Sequence, residues 1–125
     1  MSDARVVNLN GLPLESVTAH GGDGKILFHR PFDGDAFEGP WNFVDYAVLP
    51  PGSSIGLHSH GDNDELYLVL EGSGTMQLDG RELRVEKGSL VLNRRGGSHG
   101  LRNDGDVPLK LFVVEVAIGG AKEAS

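Results

Sequence analysis

Between residues 25 and 118 the chain alternates apolar and polar positions in short runs, each cut off by Gly, Pro or Asp. Residues 42–49 read Asn42, Phe43, Val44, Asp45, Tyr46, Ala47, Val48, Leu49 and end at Pro50-Pro51-Gly52, because proline cannot donate to a sheet ladder. Similar runs cover 25–30, 55–60, 66–71, 74–78, 82–85, 89–92, 99–103 and 108–118, and each predicts a strand. Turn signals lie between them: Glu71-Gly72-Ser73-Gly74, Asp79-Gly80, Glu86-Lys87-Gly88, Gly96-Gly97 and Asp104-Gly105-Asp106. Asp79-Gly80 predicts a type I′ hairpin, whose two central residues both take positive φ. No helical stripe, fixed-period repeat or low-complexity run competes with these elements. Short strands at this spacing predict an all-β sandwich or barrel.

A chain of 125 residues fits one domain. The expected division is an N-terminal segment 1–24, partly ordered and turn-rich around His20-Gly21-Gly22-Asp23-Gly24, a barrel over 25–118 and a small, polar, flexible tail 119–125. Nineteen glycines suit tight turns better than long helices. Eleven Lys and Arg against 18 Asp and Glu give a net charge of −7 with no basic cluster, which argues against a nucleic-acid partner. The absence of Cys excludes disulfides, thiolate zinc sites and thiol nucleophiles, and leaves His and carboxylates as metal ligands. With no signal-like N-terminus and no run of about 18 apolar residues, the reading is a soluble, cytoplasmic protein with no membrane contact.

His58 and His60 stand two apart on the strand 55–60, so both imidazoles project from one face. Glu65 follows a four-residue connection at the start of the next strand, where a hairpin partner brings its carboxylate near both rings. His99 would close the set from a distant strand. Three imidazoles and a carboxylate suit one divalent transition metal, Fe, Mn, Ni, Zn or Cu, and suit Ca or Mg poorly. A six-coordinate metal on four protein ligands keeps positions for water, O2 or substrate.

These residues also carry a family resemblance. Gly52, five residues, His58-Ser59-His60, four residues, Glu65, six residues, Gly72 resembles the first cupin motif. Gly88, five residues, Arg94-Arg95-Gly96, two residues, His99, three residues, Asn103 resembles the second. The chain is thus similar to small single-domain metal-binding cupins. The resemblance implies a double-stranded β-helix (a jelly-roll barrel), His58, His60, Glu65 and His99 as ligands, and Gly72 and Gly96 as turn residues. Arg94 stands where the second motif usually has Pro, which loosens the expected loop shape without removing a ligand.

Proteins that share the motifs include dioxygenases, oxalate-degrading enzymes, sugar isomerases, epimerases and cyclases. The resemblance therefore implies a metal-dependent enzyme acting on a small organic metabolite, by O2-dependent oxygenation or by redox-neutral isomerisation or cyclisation. The other readings are a non-catalytic small-molecule sensor or carrier and a barrel stiffened by a structural metal.

Further residues follow from strand parity. Tyr67 and Val69 share the parity of Glu65 and line the interior. Tyr46 or Tyr67 is placed to give a proton to a substrate, and Trp41, Phe43, Phe112 and Met76 to shape a pocket or fill the core. Arg94, with Arg95, either draws an anionic substrate toward the metal or is a solvated pair. Asp62 and Asp64 are partners for an imidazole or an acidic loop. His20 and His29 match no motif and are read as surface or core-edge histidines. Leu66, Leu68 and Leu70 face outward and need a cover, supplied by a homodimer partner or by residues 25–30.

Overall fold

In the computed structural model, which describes residues 5–59 and 61–120, every predicted strand is present. In chain order they are β1 (Glu15–Val17), β2 (Ile26–Asp33), β3 (Trp41–Leu49), β4 (Ser54–Ser59), β5 (Asn63–Glu71), β6 (Ser73–Leu78), β7 (Arg81–Glu86), β8 (Leu90–Asn93), β9 (Ser98–Arg102) and β10 (Leu109–Ala117). They form two antiparallel sheets, β1-β2-β3-β10-β5-β8 and β4-β9-β6-β7, which face each other as a double-stranded β-helix. The tail residues 121–125 and His60 lie outside the described residues.

Side-chain parity defines the core. Ala47, Leu111 and Val69 lie in register across β3, β10 and β5, and all three are buried, as are Leu49 and Leu109 one step along. From the opposing sheet Ile55, Met76, Val85 and Leu101 meet them. The Asp79-Gly80 turn has φ of 50° and 82°, as the type I′ hairpin requires. Asn103, fully buried, donates from Nδ2 to the carbonyls of Leu49 and Val107 and accepts from Gly105 N, which fixes the loop into β10.

Three features depart from the strand reading. Strand β2 continues through Pro31 to Asp33, and the register with β3 shifts between His29 and Phe32, a local irregularity that absorbs the missing proline donor. The ladder also reaches further toward the N-terminus. Strand β1 pairs with β2, and Ala19 bridges Ile55 of β4. Gly22 and Gly56 permit this contact: a Cβ on Gly22 would lie 2.2 Å from the Ser54 carbonyl oxygen, and one on Gly56 2.1 Å from that of His20. Residues 17–24 are thereby laid against β4, held by Gly56 N to Ala19 O and Ser54 N to Asp23 O, both 2.9 Å.

The third departure concerns β4 and β5, which do not form a hairpin. Strand β4 pairs with β9, while β5 lies in the other sheet between β10 and β8. Nor do residues 25–30 cover the outer leucines of β5: β2 sits in the same sheet, separated from β5 by β3 and β10.

Candidate metal centre

His58 of β4 and His99 of β9 are directly paired in register, and their rings meet edge-on at 4.3 Å between centroids. Glu65 reaches them across the barrel from β5, with Oε1 3.3 Å from His99 Nε2. The sequence expectation had placed Glu65 beside His58 as a hairpin neighbour; the sheet assignment instead makes His99 the neighbour and Glu65 the facing ligand. One ligand atom from each of His58, Glu65 and His99 lies within 4.8 Å of the others, close enough to share one cation. His60, the fourth expected ligand, lies outside the described residues.

The donor set suits a divalent transition metal. His58 Nδ1 is 2.7 Å from the Gly56 carbonyl, so Nδ1–H donates there and Nε2 is the nitrogen left to ligate. Burial, more than the nearby charges of His99 and His20, lowers the His58 pKa from 6.5 to about 4. The ring is therefore neutral, as a metal ligand must be, across the neutral pH range. Glu65 and His99 are 6% and 1% exposed, which removes competing water from this corner of the barrel.

Tyr67 is buried beside them, its hydroxyl 3.1 Å from His99 Nε2 and its ring perpendicular to the imidazole. Burial and then the Glu65 charge hold the phenol well above its usual pKa, so it keeps its proton. Tyr67 and Val69 line the interior as parity predicts. Tyr46 does not: its register partners are His29 and Phe112, so it projects from the outer face while Asp45 and Ala47 project inward. Tyr46 has no route to the centre because a β-strand sends adjacent residues to opposite faces. His29 lies half-buried on that same outer face.

Arg94 is exposed in the turn after β8, where its carbonyl accepts from Gly97 N, and it does not line the cavity described below. Asp64 accepts from Arg95 N at 2.9 Å and Asp62 pairs with the Arg95 guanidinium at 3.0 Å. The two acids therefore pin this turn to the β4–β5 connection, a task that needs no proline at position 94.

A cavity of about 340 Å³ opens onto His58, Glu65 and Tyr67. Its apolar wall includes Phe28, Phe43, Ala47 and Val113. Arg30 is the one Lys or Arg among its described lining residues. The guanidinium lies 3.9 Å over the Phe43 ring and donates to both Asp45 oxygens, at 2.8 and 3.2 Å. Burial opposes the Arg30 charge, but the Asp45 hydrogen bond and charge outweigh it and raise the pKa; burial likewise raises that of Asp45.

His20, read from the sequence as a surface or core-edge residue without a role, lines the same cavity. Its ring stacks on His58 at 3.5 Å with the planes 6° apart. Only the contact of residues 17–24 with β4 brings it there, with His20 itself at φ 50°. The Gly-rich stretch after it was the available signal. Arg30 and Asp45, fifteen residues apart, gave none.

Two facing antiparallel sheets around a cavity, with imidazoles from one sheet and a carboxylate from the other, define a β-barrel with a cluster that could hold a metal ion. The Cupin domain model matches residues 45–115, and the chain belongs to the cupin family. Among curated relatives, an uncharacterized protein of Methanocaldococcus jannaschii is 40% identical over 72% of this chain and 71% of its own length. An oxalate-binding protein of Thermotoga maritima is 29% identical over 78% of this chain and 81% of its own. A crystal structure from Thermotoga maritima, described as a predicted oxalate decarboxylase, superposes with a TM-score of 0.87 at 27% identity, covering 90% of this chain and 99% of that one. No helix among the described residues is long and apolar enough to cross a membrane.

Proposed function

We propose that this cupin is a metal-dependent enzyme that transforms a small organic metabolite with an anionic end. The observation that carries the reading is the cavity wall that unites His58 and Glu65 with the Tyr67 phenol and the Arg30 guanidinium, with His99 buried behind it and completing the cluster. A divalent cation held by those ligands, with His60 as the fourth, supplies a Lewis-acid contact for a substrate oxygen and, if redox-active, a place for O2. Arg30 meets the anionic end, its planar fork already oriented by Asp45 and Phe43. Phe28, Ala47 and Val113 receive the apolar body and displace water. Tyr67, which keeps its proton, donates a hydrogen bond to a substrate oxygen, and a neutral donor of this kind suits the enolate of a redox-neutral isomerisation or cyclisation. The second reading, a sensor or carrier without turnover, draws its support from the relative named for oxalate binding.

The test is metal analysis of the purified protein, then a screen of small carboxylates, enols and sugars followed by NMR for turnover and by an electrode for oxygen uptake. Turnover without oxygen uptake is the expected result, with Arg30→Gln raising KM or Kd at least about tenfold. Turnover that consumes oxygen moves the assignment to the oxygenase branch. Saturable binding without turnover leaves the carrier, and no response to any of these ligands overturns the proposal.

Leu66, Leu90 and Leu92, 38%, 65% and 44% exposed, lie side by side on the outer face of β5 and β8. We assign this strip to a homodimer interface, which also accounts for a strand apolar on both faces. Light scattering should give twice the chain mass for the wild type and one chain mass for Leu90→Lys with Leu92→Lys. A monomeric wild type ends this assignment.

A further inference from the structure

Strand β8 reads Leu90-Val91-Leu92-Asn93, and its last residue is the anomaly. Asn93 is paired in register with Glu65, so its side chain enters the barrel on the same face as that ligand, one step from Val91 opposite Tyr67. It is 1% exposed, and among the described residues neither Nδ2 nor Oδ1 has a hydrogen-bond partner. Other buried asparagines are paired: Asn42 donates to Glu115 at 2.9 Å, and Asn103 to two carbonyls at 2.8 Å each. An apolar residue would suit the position better if packing were its only task, since a buried amide without partners destabilises the fold.

The missing partner must both accept from an N–H and donate to a carbonyl oxygen, and it must sit inside the barrel next to Glu65. Water and hydroxyl groups have this character, as does a protonated carboxyl. We propose that Asn93 grips an oxygen ligand of the metal, either a water or an oxygen of the bound metabolite, and orients it beside Glu65. The inference rests on the metal-centre reading above. Asn93 is not one of the motif ligands; it acts on what the metal binds. Its amide gives the site a preference for ligands that present a hydroxyl or protonated oxygen over those that present only acceptors.

The experiment compares wild type, Asn93→Leu and Asn93→Ala as metal-free and Co(II)-loaded proteins, by thermal unfolding, Co(II) absorption spectra and titration with glycolate, a small carboxylate that carries a hydroxyl. Leu reproduces the forked outline of Asn with bulkier methyl ends, and the smaller Ala guards against overpacking in the Leu variant. Both variants should still take up one Co(II) per chain, and the metal-free Leu variant should melt about 3–8 °C above wild type. If the gripped oxygen is water, the gain in Tm on Co(II) loading shrinks and the Co(II) spectrum shifts. If it belongs to the metabolite, that gain persists and the glycolate Kd rises about tenfold. Variants whose Co(II)-dependent Tm gain, spectrum and glycolate affinity all match wild type overturn the inference while leaving the metal centre intact. A wild type that takes up no Co(II) overturns the metal-centre reading itself, and this inference with it.

Discussion

Glu65→Ala and His99→Ala are each expected to lose at least about a hundredfold in metal affinity while remaining folded barrels. Partners that merely orient a ligand are worth about ten- to a hundredfold, so removal of a ligand atom itself should cost more. Geometry makes the two substitutions comparable, although the residues reach the site from opposite sheets: Glu65 Oε1 and His99 Nε2 are 3.3 Å apart, and either loss opens the cluster on one side. Folding should survive because neither side chain joins the apolar cluster of Leu49, Val69, Leu109 and Leu111. Elemental analysis beside circular dichroism checks both halves of the expectation. Full metal retention in both variants would place the site elsewhere.

The metal-free protein is expected to lose stability as the pH falls from about 6.5 to about 4. Burial is the main reason that folded His58 resists protonation, with the neighbouring His99 and His20 adding to it. In the unfolded chain the imidazole takes a proton near pH 6.5. In the folded chain it does so only near about 4. Between those values the unfolded state binds more protons, so acidification favours it; the contribution is complete above 6.5 and exhausted below 4. Because His58 is only half-buried, solvent screening reduces the effect to about 1–2 kcal/mol. Urea midpoints of wild type and His58→Gln at pH 7, 5.5 and 4.5 isolate the term carried by His58 and its ring contacts, since groups remote from it titrate equally in both. Parallel profiles would show that His58 does not carry it.

The grouping of His58, Glu65 and His99 was legible because motif spacing is a local property. The same is true of the Asp79-Gly80 turn and of the inward parity of Tyr67 and Val69. Sheet partnership was not legible. A short connection between β4 and β5 suggests a hairpin, and only the competing pairings with β9, β8 and β10 send the two strands to different sheets. Tyr46 was misplaced for a related reason. Residues 42–49 are apolar on both faces, so the alternation carries no inward or outward sign, and the register with Phe112 decides it. Asn93 fell one residue beyond the expected end of its strand and so read as loop. His20 depended on two glycines that let backbones touch, a contact between segments more than thirty residues apart.

The strip of residues 17–24 has a consequence for how such a site diversifies. The family match spans 45–115, yet Ala19, His20, Phe28 and Arg30 line the cavity from outside that span. Part of the cavity wall is thus encoded ahead of the matched span, while His58, Glu65, Tyr67, Ala47 and Val113 lie within it. Exchanging the leading thirty residues between relatives would re-cut that wall while leaving the His58, Glu65 and His99 cluster in place, and a fragment trimmed to the matched span would keep the cluster but lose part of the cavity's lining.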